Sequence, residues 1–130
     1  MSAMKFREPN EVLWRGVRPG HRGEQVAEYK EVANGTAIVY TVGAGKTFFM
    51  TTANFICDSS VTATLATLYV RNASDVLQYY LGVAYFRAVG QIVAPMTFNP
   101  PLEIPAGWDV VIASDSANLK TRAFIHGWEE

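Results

Sequence analysis

Residues 36–71 read TAIVYTVGAGKTFFMTTANFICDSSVTATLATLYVR, and this stretch decides the fold class. Three runs rich in β-branched and aromatic residues, 36–42, 46–57 and 61–71, are cut by two turn signals, Gly43-Ala44-Gly45 and Asp58-Ser59-Ser60. Val, Ile, Thr, Tyr and Phe suit a pleated, half-buried surface. Gly, Asp and Ser are what turns select. The runs therefore read as strands.

The same grammar extends both ways. Downstream, residues 76–86 (VLQYYLGVAYF), 91–98, 108–114 and 119–127 have strand composition. Asn72-Ala73-Ser74-Asp75, Asn99-Pro100-Pro101, Pro105-Ala106-Gly107 and Asp115-Ser116 punctuate them as turns. Upstream, Asn34-Gly35 is a turn signal, and residues 24–33 (EQVAEYKEVA) fit a short helix or a first edge strand, of which the strand is adopted. About eight strands spaced by turns, with no long helix, predict an all-β antiparallel sandwich or barrel over residues 26–130. Residues 41–50 and 103–112 echo each other, each reading strand end, X-Ala-Gly, new apolar strand. They are expected to be two equivalent corners of a sandwich.

Residues 1–25 differ. Lys5, Arg7, Arg15, Arg18 and Arg22 outnumber Glu8, Glu11 and Glu24, and Gly and Pro break every period. This is expected to be an extended N-terminal arm. Phe6, Val12, Leu13, Trp14 and Val17 are unusual cargo for a solvated tail. The arm is therefore expected to dock on its own domain or on a neighbouring subunit.

Side-chain alternation adds a second expectation. In 46–57 one parity holds Phe48, Met50 and Ile56, the other Phe49, Ala53 and Phe55. In 76–86 one holds Val76, Tyr80 and Phe86, the other Leu77, Tyr79, Leu81, Val83 and Tyr85. Strands apolar on both faces need cover on both, and a second sheet covers only the inner one. The outer face then calls for the arm, a loop or another copy. Self-association follows, with Phe6, Leu13, Trp14, Arg15, Arg18, Tyr79, Tyr85 and Trp128 as interface candidates. Trp128, near the C-terminal end, is expected to be exposed or in an intersubunit contact. Trp108, directly after a turn, is expected in the core or its rim.

Composition narrows the function classes. With 130 residues the chain is one domain. Hydrophobic residues at 49% and charged residues at 18% exclude disorder. A net charge of −1 gives no nucleic-acid footprint. Apolar runs such as 81–86 are too short to span a membrane. Cys57 is the single cysteine, so no internal disulfide forms, and with His21 and His126 it is too little for a zinc site. Gly45-Lys46-Thr47 lacks the earlier glycine of a phosphate loop, since Tyr40 stands there, and strand rather than helix follows. Cys57, His21 and His126 as nucleophile and base would need spatial adjacency, and no G-x-S-x-G elbow occurs. Asp58, Asp75, Asp109 and Asp115 fall at turns, where aspartate bonds nearby backbone. No catalytic, metal or cofactor residue is assigned, and no enzyme is expected.

The stretches YTVGAGKTFFMTTANF and VTATLATLYVR, and the closing run FNPPLEIPAGWDVVIASDSANLKTRAFIHGWEE, resemble small bacteriophage virion proteins with a jelly-roll domain. Pro101-Leu102 and Pro105-Ala106-Gly107 match the corner of that family's ending, and Gly127-Trp128-Glu129-Glu130 its last residues. The resemblance covers residue 36 to the end and leaves out the first 25. It implies a jelly roll that assembles as a homotrimer on a virion, without enzymatic activity. Head decoration or cement proteins, which bind the major capsid protein, are the first expectation. A tail- or fibre-associated module that binds carbohydrate or a receptor is the alternative, with glycan contacts expected on loops such as 72–75 or 115–118.

Overall fold

The computed structural model describes residues 23–59, 64–86, 91, 95–115 and 120–130, with the side chains of 57–59 and 64 outside that description. The expected arm contacts Phe6, Leu13, Trp14, Arg15 and Arg18 lie outside the described residues.

Eight strands form: β1 (Glu24–Val32), β2 (Gly35–Thr41), β3 (Phe48–Ser59), β4 (Thr64–Arg71), β5 (Leu77–Phe86), β6 (Met96–Ile104), β7 (Asp109–Ser114) and β8 (Lys120–Glu129). They make two four-stranded sheets, ordered β1-β8-β3-β6 and β2-β7-β4-β5. Every pairing is antiparallel. The chain is thus an all-β sandwich, as residues 36–71 predict. The ambiguous segment 24–33 is the edge strand β1, which opens at Glu24 inside the stretch expected to be arm.

The core lies between the sheets. One sheet contributes Phe48, Met50, Ala53, Phe55, Ile104, Ala123 and Ile125; the other contributes Ala66, Leu68, Val70, Phe86, Val110 and Ile112. Phe55 meets Phe86 edge-on at 5.8 Å between ring centres, tying the sheets together. Trp108 packs partly buried against this core.

The two echoed corners are real and touch each other. Each is a β-turn, closed by Lys46 N–H to the Gly43 carbonyl (3.1 Å) and by Trp108 N–H to the Pro105 carbonyl (3.2 Å). Gly45 (φ 72°) and Gly107 (φ 81°) hold the third position, where a left-handed backbone favours glycine. Val42 N–H donates to Trp108 O and Gly107 N–H to Val42 O, both at 3.0 Å, so the corners brace one another. The segment after Gly45-Lys46-Thr47 is strand β3.

Alternation fails where strands bulge. In β3 the register with β6 and β8 shifts between Met50 and Thr52. The extra residue, Thr51, flips the parity, so Phe48, Met50, Ala53 and Phe55 all face the core. The strict two-faced reading of β3 is therefore corrected. In β5 shifts opposite Leu68/Tyr69 and Val70/Arg71 leave Leu81 and Gln78 unpaired. Leu77, Tyr80, Val83 and Tyr85 then share the outer face, while Tyr79 turns inward.

Residues 99–101, expected as a turn, lie inside β6, with a cis bond at Asn99-Pro100. Met50 pairs with Leu102 and Thr52 with Thr97, so the segment between them leaves the ladder. β6 is an edge strand, where proline's missing N–H costs no ladder bond.

Candidate functional site

The two outer faces of the sandwich differ in chemistry. Cross-strand partners share a face, so register assigns each face directly. On the β2-β7-β4-β5 sheet one outer rung runs Ile38, Val111, Tyr69, Tyr80 across all four strands. The next runs Thr36, Ala113, Thr67, Val83, followed by Leu65 opposite Tyr85. Ile38 is 42% exposed, Leu65 40%, Leu77 41%, Tyr80 59%, Val83 55% and Tyr85 54%. Tyr69 and Tyr80 meet edge-on at 6.2 Å. The six exposed side chains present on the order of 600 Å² of mostly apolar surface, at the upper end of what monomers show.

One polar rung borders this face: Thr41, Asp109, Arg71, Leu77. Thr41 Oγ1 donates to Asp109 Oδ1 at 2.6 Å, and Arg71 Nε to Asp109 Oδ2 at 2.9 Å. Arg71 Nε also lies 3.4 Å from Asp75 Oδ1. The hydrogen bond to Asp109 raises the Arg71 pKa despite some desolvation. Asp109 thus neutralises Arg71, and the face carries no uncompensated cation among its described rungs.

The outer face of β1-β8-β3-β6 is wet. Its rungs read Gln25, Trp128, Phe49, Glu103; Ala27, His126, Thr52, Thr97; Tyr29, Phe124, Asn54; and Glu31, Arg122, Ile56. Arg122 Nε donates to Glu31 Oε2 at 3.1 Å. Tyr29 stacks on Phe124 at 5.9 Å and 22°.

Three of the sequence-derived interface candidates can be placed. Tyr85 lies on the apolar outer face. Tyr79 does not: it pairs with the buried Val70 and packs against the core, and burial raises its phenol pKa. Trp128 is only 8% exposed, against the exposure expected for it. Its ring stacks on Phe49 at 5.0 Å, and Gly23 sits so close that a Cβ there would stand 2.5 Å from Trp128 Cδ1.

Cys57 and His126 stand apart on the sheet. Cys57 pairs with Thr121 while His126 pairs with Thr52, so the two lie five residues apart along the ladder, about 17 Å. His21 lies outside the described residues. Asp75, Asp109 and Asp115 serve structure: Asp115 Oδ1 accepts from Leu65 N–H at 3.1 Å, and the other two hold Arg71. Among the described residues no three His, Cys, Asp or Glu side chains stand together as a metal site. In the 72–75 loop Asn72 Oδ1 already accepts Ser74 N–H (2.8 Å) and Val76 N–H (3.0 Å). That oxygen thus closes the turn itself, and residues 116–118 of the other loop expected to meet glycan lie outside the described residues.

Glu129 is a buried carboxyl that side-chain pattern alone did not single out. It is 6% exposed, and its Oε2 accepts from Tyr40 OH at 2.7 Å and from Gly43 N–H at 2.9 Å. Burial, then the bond to Glu129, pushes the Tyr40 phenol far above its usual range. The parity Ile125, Gly127, Glu129 was the available signal.

The chain matches no protein-family model, and its comparison with curated proteins gives no match.

Proposed function

We propose that this protein is a non-enzymatic structural component of a bacteriophage virion, a jelly-roll domain that assembles as a homotrimer and decorates or cements the head. The observation that carries this reading is the outer face of the β2-β7-β4-β5 sheet. Six large apolar side chains stand there 40–59% exposed, with one neutralised ion pair at its border. Such a face is costly on a free monomer and suits another uncharged surface. Its size approaches the roughly 800 Å² per partner of a standard interface. Closed cyclic symmetry suits a module added at a symmetric lattice position.

The strand order supports the jelly-roll part. β1 pairs with β8, β2 with β7, β3 with β6 and β4 with β5. This nesting is what rolling up one long hairpin produces, and it agrees with the resemblance carried by the Pro-Ala-Gly corner and the Gly-Trp-Glu-Glu end. The arm, with Phe6, Leu13, Trp14, Arg15 and Arg18, is the segment proposed to reach the capsid surface.

The deciding experiment is the absolute mass in solution by light scattering behind a sizing column, followed by binding to phage heads lacking the protein. Three chains that persist on dilution and bind heads support the reading. A monomer that binds no head overturns it. Deleting residues 1–20 is expected to abolish head binding and leave the sandwich folded; unchanged binding counts against the arm as the clamp.

A further inference from the structure

The wet outer face carries a feature that assembly through the opposite face does not use. Tyr29, Lys30, Glu31 and Arg122 line a groove of about 380 Å³ beside the edge strand β1. The groove is shallow and open to solvent.

Its chemistry is specific. Tyr29 is 61% exposed, and its ring lies near-parallel to that of Phe124 at 5.9 Å between centres. The two rings thus form one aromatic patch on this face, with Tyr29 its exposed part. Two residues along the ladder, the next outward rung is Glu31 with Arg122. Alternate residues of a strand lie about 7 Å apart, the span of one pyranose ring with its hydroxyls. A stacking surface therefore adjoins a carboxylate acceptor and the Arg122 guanidinium at that spacing. Arg122 pairs with Glu31, so the groove attracts neither a simple anion nor a simple cation strongly. Hydroxyl groups, which both donate and accept, can use both signs at once.

We infer that this groove binds a neutral monosaccharide unit, with the sugar's C–H face on Tyr29 and its hydroxyls on Glu31 and Arg122. The inference stands apart from the assembly proposal, because it needs only the folded sandwich. A shallow site of this kind is expected to bind in the millimolar range, and copies held in one assembly would gain by avidity on a polymeric glycan.

The test is NMR titration of the full chain with three probes: methyl β-galactopyranoside, methyl α-glucopyranoside and N-acetylglucosamine. Saturable shifts at Tyr29, Glu31 and Phe124 with at least one probe are expected. Tyr29→Ala should weaken them about tenfold or more. Glu31→Gln, which keeps the side-chain volume, should weaken them with the spectrum otherwise unchanged. No saturable shift with any probe overturns the inference, as do shifts that survive Tyr29→Ala. Inorganic phosphate is the control: if it saturates the groove while the glycosides do not, the site is an anion site and the inference fails. A monomer that binds sugar would leave this inference standing and remove the assembly reading.

Discussion

Replacing Val83 by lysine tests the apolar outer face on its edge strand β5. Val83 stands in the rung Thr36, Ala113, Thr67, Val83 and is 55% exposed in the single chain. In that chain the lysine stays in water, so folding should change by about 1 kcal/mol or less. In an assembly buried through this face the cost is larger. The exposed part of Val83 is roughly 90 Å², and losing its burial forfeits about 2 kcal/mol per contact. Leaving an ammonium unpaired in the contact adds roughly 3–5 kcal/mol. Together these exceed about 5 kcal/mol, more than three decades in the association constant. Light scattering across a dilution series should find Val83→Lys monomeric at concentrations where the parent remains assembled, with an unchanged circular dichroism spectrum. Asn54→Lys, on the wet face, should keep the parent mass. A Val83→Lys protein that matches the parent mass at every dilution would refute the reasoning, and so would a monomeric parent.

Four further outcomes follow from the packing. A Cβ at Gly127 would overlap the Phe49 carbonyl oxygen and stand 2.9 Å from Met50 Cα, so Gly127→Ala should cost about 3 kcal/mol or prevent folding. At Gly43 the added carbon meets only the Glu129 carboxyl, at 3.5 Å, and the thermal midpoint should stay close to that of the parent. Glu129→Ala leaves Tyr40 OH and Gly43 N–H without their acceptor, which should cost about 2–4 kcal/mol in urea unfolding, and Glu129→Gln should recover most of it. The phenols of Tyr40 and Tyr79 both have raised pKa values, mainly through burial. The unfolded chain therefore releases these protons first, from about pH 10, and stability should fall as pH rises beyond that value. Tyr79→Phe should flatten this alkaline loss; an unchanged slope would show that Tyr79 is not held neutral by the core.

The strands and corners were legible because their signals are local. Residues 36–71 needed only composition and punctuation, and the glycines of the two X-Ala-Gly turns declared their left-handed backbone. The faces were legible only in part. No glycine marks the bulge at Thr51, so simple alternation sent Phe49, Ala53 and Phe55 to the same side, whereas Ala53 and Phe55 turn to the core with Phe48 and Met50. The same effect misplaced Tyr79, because Gln78 and Leu81 drop out of register in β5. Pro100 and Pro101 read as a turn because proline is excluded from ladders; an edge strand relaxes that exclusion. The groove at Tyr29 was out of reach, since it joins residues 91 positions apart whose pairing only the β1-β8 register fixes. The cover over Trp128 was hidden for a related reason: it depends on Phe49 and Gly23, both distant in sequence.

The polarity of the sandwich bears on its use as a scaffold. Glu130 exchanges backbone hydrogen bonds with Thr47, and Glu24 lies opposite Glu129, so the chain enters and leaves the sandwich at one pole. The braced corners and the 72–75 turn crowd the same pole, where Gly107 approaches Ala73. A peptide fused after Glu130 would emerge beside the start of β1 at Glu24. One inserted at Asn34-Gly35 would leave from the far end of β1, about 30 Å away. Payloads for surface display belong at that second pole, away from Gly23 and Glu130.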